Sequence, residues 1–165
     1  LPKPTVALVQ GGAYGGGVGL VAACDMAIAA DNAVFCLSEV KLGLIPSVIS
    51  PYMLAAIGAR AARRYFLTAE RFDAAEAHRL GLVHEVVPAN DLAAAGDQLT
   101  EFLLAAGPAA LAKAKQLIAY VDGHPKNAEL RQETARRIAA ARASAEGQEG
   151  IAAFFDRRKP DWPAE

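Results

Sequence analysis

The sequence predicts an α/β protein, and two observations carry that prediction. Short apolar runs at residues 5–9, 26–29 and 33–37 lack a helical period and are bounded by Gly or Asp, as is typical of buried strands. A glycine-rich connection and a short apolar helix at residues 20–24 separate the first run from the second. Because a strand, a helix and a second strand form a βαβ unit, a parallel sheet covered by helices is expected.

The rest of the chain is predicted to be mainly helical. Asp73 begins a capping-box pattern, in which its side chain accepts a hydrogen bond from the Glu76 amide, and Gly81 marks the end of that helix. Residues 82–87 predict one more short strand, and Pro108 suits a first helical position. Further helices are expected at about residues 91–106, 108–122, 126–145 and 148–158.

Composition predicts a core of small and aliphatic residues. Among 165 residues there are 38 alanines and only 11 aromatic residues, so closely packed helices are expected. The formal net charge of −1, with no long basic block, provides no electrostatic footprint for nucleic acid. Cys24 and Cys36 lie in apolar stretches and are expected to be free thiols, neither in a disulfide nor on zinc. No apolar stretch reaches the length of a membrane span.

Glycines crowd residues 11–19, and this segment is the first candidate site. Bare glycines let a backbone approach a ligand, and amides at a helix N-terminus donate to negative charge, although a plain strand-to-helix turn is the simpler alternative. A P-loop is excluded because Val18 and Gly19 stand where Lys and Ser or Thr are required. A dinucleotide-binding pattern matches formally at Gly17, Gly19 and Ala22, but it does not follow the strand at once. A Rossmann dehydrogenase is therefore a weak alternative.

Glu39 is the second candidate, a carboxylate at the end of the third predicted strand. Burial disfavours the charged form of a carboxyl group, which would suit Glu39 to act as an acid or base. The alternative is an exposed residue that pairs with Lys41. Residue types alone leave both open. The loop at residues 43–52, which contains two prolines, is expected to lie near the same site.

The combined motifs resemble the signature of the enoyl-CoA hydratase/isomerase (crotonase) family. The resemblance rests on residues 3–11, 15–17, 20–25, 38–46, 67–68, 74–77, 81–83 and 154–160. It covers the whole chain and implies the ClpP/crotonase-like fold, a ββα superhelix core followed by a helical region for trimerisation. It assigns residues 1–90 to the later part of the core and residues 91–165 to a helical region that oligomerises and covers CoA. It also implies that about the first third of a typical member is absent.

The resemblance further implies roles for individual residues. The backbone amide of Gly16 corresponds to one of two amides that hold the thioester carbonyl, and the other would lie in the absent N-terminal region. Glu39 corresponds to the carboxylate that exchanges the proton at the α-carbon. The family's hydratases carry a second glutamate at a position that Gly19 occupies here. Contacts to substrate or CoA are expected from Gly15, Gly17, Gly19, Pro46 and Arg157. No metal and no separate cofactor are expected, because CoA is part of the substrate.

Residues 17–20 and 45–52 are similar to bacterial members usually assigned as methylglutaconyl-CoA hydratases, which act in leucine breakdown. The resemblance therefore implies hydration of a 2-enoyl-CoA, such as 3-methylglutaconyl-CoA or a related branched acyl-CoA. Two alternatives remain open: an enoyl-CoA isomerase with a single glutamate, and a non-catalytic crotonase-like assembly protein. Also expected are a bacterial source, a place in fatty acid metabolism, a cytoplasmic location and a homotrimer or dimer of trimers. The acyl-CoA substrate is the expected partner, with neither nucleic acid nor membrane.

Overall fold

Residues 1–162 are described by a computed structural model, in which six strands and three α-helices are interspersed and four further α-helices follow. The strands are β1 (Val6–Val9), β2 (Gly12–Tyr14), β3 (Met26–Ala30), β4 (Val34–Cys36), β5 (Phe72–Asp73) and β6 (Glu85–Val87). The helices are α1 (Gly16–Ala23), α2 (Ser50–Thr68), α3 (Ala74–Leu80), α4 (Leu92–Leu104), α5 (Pro108–Val121), α6 (Ala128–Ala143) and α7 (Ala145–Phe155). Short 3-10 helices cover Glu39–Leu42 and Ala89–Asp91.

The strands form two three-stranded sheets, ordered β1-β3-β6 and β2-β4-β5. All pairs are parallel except β4 with β5. Val6 lies opposite Met26 in the first sheet, and Gly12 lies opposite Val34 in the second. The pair of strands β1 and β2 therefore runs parallel to the pair β3 and β4, strand by strand, and α1 connects the two pairs. The predicted parallel arrangement is confirmed.

Hydrogen bonds between Thr5 and Asp25 set the register at the point where β1 and β3 begin. The Asp25 carboxylate oxygen Oδ2 accepts hydrogen bonds from the Thr5 amide at 2.7 Å and from the Thr5 hydroxyl at 2.9 Å. The Asp25 amide donates in return to the Thr5 hydroxyl at 3.0 Å. Because these bonds join the residues that precede both strands, they fix the point at which the chain leaves α1 for β3.

Two strands were not predicted, the strand predicted at 82–87 covers only Glu85–Val87, and the last helix, predicted at 148–158, covers Ala145–Phe155. The glycine-rich segment was expected to be a single connection, but it contains β2, which is recognisable only through its pairing with β4. The two-residue β5 likewise exists only as a partner of β4. The last helix starts at Ala145 and not at 148, because the Ser144 hydroxyl accepts a hydrogen bond from the Gly147 amide at 3.1 Å.

The predicted boundaries of α3 and the start of α5 are confirmed. Asp73 caps α3 by accepting from the Glu76 amide at 2.8 Å, and Gly81 ends the helix with φ of 85°. Pro108 is the first residue of α5. The next two amides, of Ala109 and Ala110, have no acceptor within the helix and donate to the Glu146 carboxylate, at 2.9 Å and 2.7 Å.

The core contains the predicted small residues and also an aromatic cluster. Alanines line β3 and the start of α3, where Ala29, Ala30, Ala74 and Ala77 are fully buried. The Phe72 ring lies 5.5 Å from the Phe35 ring and 4.3 Å from the Tyr65 ring, centroid to centroid. Three of the eleven aromatic residues therefore form one cluster at the second sheet, to which β4 and β5 contribute Phe35 and Phe72. Both cysteines are free thiols, with Cys36 buried and Cys24 half-buried.

The described chain divides into two compact units, residues 5–100 and residues 1–4 with 101–162. The first unit holds both sheets and α1 to α3, and the second holds α5 to α7. The division of roles between residues 1–90 and 91–165 stays a prediction, and its last three residues, 163–165, lie outside the described residues.

Within residues 1–162, no single helix combines the length and apolar character needed to cross a membrane. One bent pair, residues 89–104 with 108–121, meets those two criteria when its helices are taken together.

Candidate active site

The glycine-rich segment makes a sharp turn from β2 into α1. Gly15 stands between them with φ of 49° and ψ of −119°, a conformation that favours glycine. Its amide donates to the Cys36 carbonyl at 2.8 Å, and its carbonyl accepts from the amides of Val18 and Gly19 at 3.0 Å and 3.3 Å. These bonds tie the turn to the end of β4 and start the helix.

The amides of Gly16 and Gly17 lie in the first turn of α1, where the helix itself offers no acceptor. The partial positive charge of a helix N-terminus also favours a negative group at this place. A Cβ built on either glycine would meet no protein atom within 4 Å, and Gly16 is exposed. The start of α1 is therefore open to a ligand.

Glu39 was predicted at the end of the third strand, but it lies three residues beyond the last residue of β4. The strand ends at Cys36, and Glu39 begins a 3-10 helix with its side chain half-buried. Its carboxylate oxygen Oε2 is buried and has no hydrogen-bond partner among residues 1–162. Lys41, the alternative ion-pair partner, is exposed. A buried polar atom without a hydrogen-bond partner costs free energy. We therefore interpret Glu39 Oε2 as an atom that contacts a bound ligand.

The structure brings Glu39 against the glycine turn. A Cβ built on Gly15 would stand 3.2 Å from Glu39 Oε1 and 3.5 Å from its carboxyl carbon. The carboxylate thus packs directly on bare backbone at the start of α1, one residue from Gly16. The family resemblance implies that Glu39 and Gly16 serve one site, and the structure brings the Glu39 carboxylate against Gly15, the residue before Gly16.

The space at Gly19 is filled by Ile49, which sequence reasoning did not single out. A Cβ built on Gly19 would overlap Ile49 Cγ2 and lie 2.6 Å from Ile49 Cβ. Gly19 is buried, and Ile49 is 8% exposed. Residue 19 has no side chain, and one could not be accommodated there unless Ile49 moved. The four-residue spacing of Gly15 and Gly19 was the available signal, since it allows close packing on one helix.

Apolar side chains follow Glu39 and remain largely exposed. They are Leu42, Leu44, Ile45, Val48 and Tyr52, from 50% to 84% exposed. Pro46, predicted to contact the substrate, is buried among them. Arg157 lies in the unit that contains residues 101–162, where it is exposed and has a left-handed φ of 54°. The roles of Pro46 and Arg157 stay predictions.

A second cluster of titratable groups, on α2 and α3, is fully paired. The Tyr65 hydroxyl donates to Glu76 Oε1 at 2.6 Å, and Arg79 donates to both oxygens of Glu76. Hydrogen bonds from Arg79 and then from Tyr65 lower the pKa of Glu76 to about 2. Burial and the bond to Glu76 raise the pKa of Tyr65 to about 12. This mutual satisfaction indicates a structural network, in contrast to the unpartnered oxygen of Glu39.

Within residues 1–162, no group of three or more His, Cys, Asp or Glu side chains is arranged to hold a metal ion.

Comparison with known proteins places these features in a family. The sequence model of the enoyl-CoA hydratase/isomerase family matches residues 1–165. A Thermus thermophilus protein described as an enoyl-CoA hydratase is 34% identical over 164 residues, which cover 96% of this chain and 62% of that protein.

Two solved structures match more closely in sequence. A Legionella pneumophila protein described as an enoyl-CoA hydratase/isomerase (crotonase) is 50% identical with a TM-score of 0.94, over 98% of this chain and 62% of that one. An enoyl-CoA hydratase from Shewanella pealeana is 50% identical with a TM-score of 0.93, over 98% of this chain and 60% of that one. The chain thus spans about three fifths of the length of each relative.

Proposed function

Because this chain belongs to the enoyl-CoA hydratase/isomerase family and has the crotonase fold, we propose that it contributes to an enzyme that adds water to a 2-enoyl-CoA thioester. The observation that carries the proposal is the buried, unpartnered Oε2 of Glu39, packed against the glycine turn at the start of α1. Proton transfer next to a thioester carbonyl requires a proton carrier and a hydrogen-bond donor to the carbonyl oxygen. Glu39 would supply the first, and the amide of Gly16, which follows Gly15, would supply the second.

The Gly16 amide is the proposed donor to the thioester oxygen. When the α-carbon gains or loses a proton, negative charge develops on that oxygen in an enolate-like state. A preorganised amide at a helix N-terminus stabilises this charge more than the neutral carbonyl, and such a donor contributes about 10²-fold to 10³-fold in rate. The open space around Gly16 supports the approach of a thioester.

Glu39 is the proposed proton carrier. As the water oxygen bonds to the β-carbon, the C2–C3 double bond opens, and its electrons pass to the α-carbon and the thioester oxygen. The Glu39 carboxylate takes one proton from that water and returns it to the α-carbon. The cycle consumes only water and the 2-enoyl thioester, and it leaves Glu39 ionised as at the start.

Isomerisation is the second candidate, and the Gly19–Ile49 contact favours it. With residue 19 unable to carry a carboxylate, Glu39 would take a proton from C2 of a 3-enoyl-CoA and return it to C4. This shift needs one carboxylate and no water. The names of the matched relatives favour hydration, which is therefore placed first.

A branched acyl group is the proposed substrate class, with 3-methylglutaconyl-CoA as the specific candidate. It rests on the similarity of residues 17–20 and 45–52 to members assigned to leucine breakdown. The exposed apolar side chains that follow Glu39 supply surface for the apolar part of such a group. A place in leucine or fatty acid breakdown follows only with that substrate.

Assembly into trimers or paired trimers is proposed for the whole protein. Ile138, Phe154 and Phe155 expose 67% to 78% of their surface in the helical unit, and apolar exposure of this extent supports contacts between subunits. Arg157 is the proposed contact to the nucleotide end of CoA.

The test is an assay of the whole protein with crotonyl-CoA, 3-methylglutaconyl-CoA and a 3-enoyl-CoA. Hydration of the first two, with faster turnover of 3-methylglutaconyl-CoA, is expected. Migration of the double bond in the 3-enoyl-CoA without hydration of either 2-enoyl-CoA would establish the isomerase instead. If none of these thioesters is turned over and the intact assembly does not bind acetyl-CoA, the result favours the non-catalytic alternative.

A further inference from the structure

Gly15, the residue before α1, and Gly19, within α1, each lie against one end of a single segment. Gly15 receives the Glu39 carboxylate, with 3.2 Å between its built Cβ and Oε1. Gly19 receives Ile49, whose Cβ would lie 2.6 Å from a built Cβ. The two ends of the segment from Glu39 to Ile49 therefore pack against Gly15 and Gly19.

Between these ends the segment has a contact of its own, because its 3-10 helix, Glu39–Leu42, packs against α2. Residues 41–45 are exposed, and Pro46 is buried. The Leu44 amide donates to the Glu39 carbonyl at 3.0 Å, so the first half folds on itself and not on α1. Ile49 also belongs to the core, and its carbonyl accepts from the Met53 amide at 3.0 Å as α2 begins. The contact at Gly19 therefore joins this segment to both α1 and α2.

We propose that Ile49 is a positioning residue for the chemistry at Glu39. Its Cγ2 methyl, seated on Gly19, holds residues 39–49 against α1 and so keeps the Glu39 carboxylate beside the Gly16 amide. The inference rests on the proposed function, since it assigns Ile49 a part in the same proton transfer.

The contact depends on the β-branch of Ile49 and not on its bulk. The atoms nearest to Gly19 are Cγ2 and Cβ. Valine and threonine keep a branched Cβ, whereas leucine keeps the volume but carries no methyl on Cβ. For packing alone the order is reversed, because an exchange of Ile for Leu conserves core volume and one for Val or Thr removes atoms or buries a hydroxyl.

The experiment compares Ile49→Val, Ile49→Thr and Ile49→Leu in the whole protein. Three quantities are measured: kcat and KM for hydration of crotonyl-CoA, exchange of the α-protons of butyryl-CoA in D2O, and the thermal midpoint. The exchange reports proton transfer between Glu39 and the α-carbon without any addition of water. Met53→Leu is the matched control, a volume-conserving change in the same core that leaves the Gly19 contact intact.

We expect Ile49→Leu to lower kcat and the exchange rate by about tenfold or more, with KM nearly unchanged, as for a misplaced proton carrier. Ile49→Val and Met53→Leu should stay within about twofold of the parent. Ile49→Thr should be less stable than Ile49→Leu and yet exchange protons faster. Activity that follows the thermal midpoint across the three variants would overturn the inference.

The two proposals fail in different ways. If the parent exchanges α-protons but hydrates no 2-enoyl-CoA, the proposed hydration is wrong. The exchange rates of the variants then still test whether Ile49 positions Glu39. If the parent hydrates and Ile49→Leu is as active as Ile49→Val, the role of Ile49 is wrong and hydration stands. If the parent does neither, both proposals fall.

Discussion

The Glu39 carboxylate lies beside the space that a side chain on Gly15 would need: a methyl group on Gly15 would stand 3.2 Å from Glu39 Oε1. Gly15 also holds φ at 49°, where side chains are rarely accommodated. A residue other than glycine would therefore both strain the turn and press on the proposed proton carrier. This relationship underlies the first two predictions.

Replacement of Glu39 by glutamine should abolish turnover without loss of the fold. The amide keeps the shape of the carboxyl group but cannot carry the proton, so kcat should fall by about 10²-fold to 10⁴-fold. Binding of a saturated acyl-CoA, measured by calorimetry, should change little. Glu70→Gln, on a half-buried glutamate paired with Arg64, is the control and should keep full turnover. Normal turnover by Glu39→Gln would assign the proton transfer to another group.

Gly15→Ala should lower both stability and activity, whereas Gly17→Ala should leave stability nearly unchanged. The first variant places a side chain at φ of 49° against Glu39, and backbone strain of this kind costs about 1–3 kcal/mol. The second points a methyl into open space and has no positive φ. Urea unfolding of the two variants is the measurement. Equal stability of both would contradict the strain at Gly15.

Side chains at residues 19 and 49 should exclude each other. Gly19→Ala alone should destabilise the protein by about 1–3 kcal/mol through overpacking. Ile49→Ala should not relieve this, because the remaining Cβ would still lie 2.6 Å from the new methyl. Ile49→Gly should relieve it, since the Ile49 Cα is 3.7 Å away.

A double-mutant cycle in urea tests this pair. The double variant Gly19→Ala with Ile49→Gly should be more stable than the sum of the single changes by about 1–3 kcal/mol. Gly16→Ala, with no atom within 4 Å of its Cβ, is the steric control for α1. Strict additivity would show that the two positions do not compete for space.

Glu76 should make stability fall in acid. Its folded pKa of about 2 lies below the ordinary value of 4.5, chiefly through the Arg79 hydrogen bonds. A lowered carboxyl pKa stabilises the fold at neutral pH, and this contribution disappears as the pH falls from about 4.5 to about 2. The difference in unfolding free energy between the parent and Glu76→Gln should therefore be largest near neutral pH and close over that window. The exposed Glu101→Gln is the control, and a difference independent of pH would contradict the assignment.

Glu146 should stabilise the start of α5 although it belongs to α7. Its carboxylate accepts from the amides of Ala109 and Ala110, as an N-terminal cap does. Glu146→Ala should cost about 1–2 kcal/mol and raise amide hydrogen exchange at these two alanines. Glu146→Gln, which keeps an acceptor without the charge, should lie between. Unchanged exchange in Glu146→Ala would show that another group caps the helix.

Local chemistry made several elements predictable from sequence. The apolar runs that became β1, β3 and β4 satisfy short-range patterning, and the bonds at Asp73 and the stop at Gly81 involve residues only a few positions apart. Glu39 and the glycine segment could be nominated because residue type limits the chemistry available. The family resemblance added the pairing of these two features, and it named the fold that the comparisons confirm.

Only the tertiary structure decided the features that depend on partners distant in the chain. Strand β2 exists because β4 pairs with it, and α5 is capped from α7. The space beside Gly19 is filled by Ile49, thirty residues further along, so that a side chain at residue 19 would have no room. Sequence pattern reports which residues favour a helix, a strand or a proton transfer. Which atoms share a space is set by packing, and here packing leaves Glu39 beside the bare start of α1 and closes residue 19 with an isoleucine.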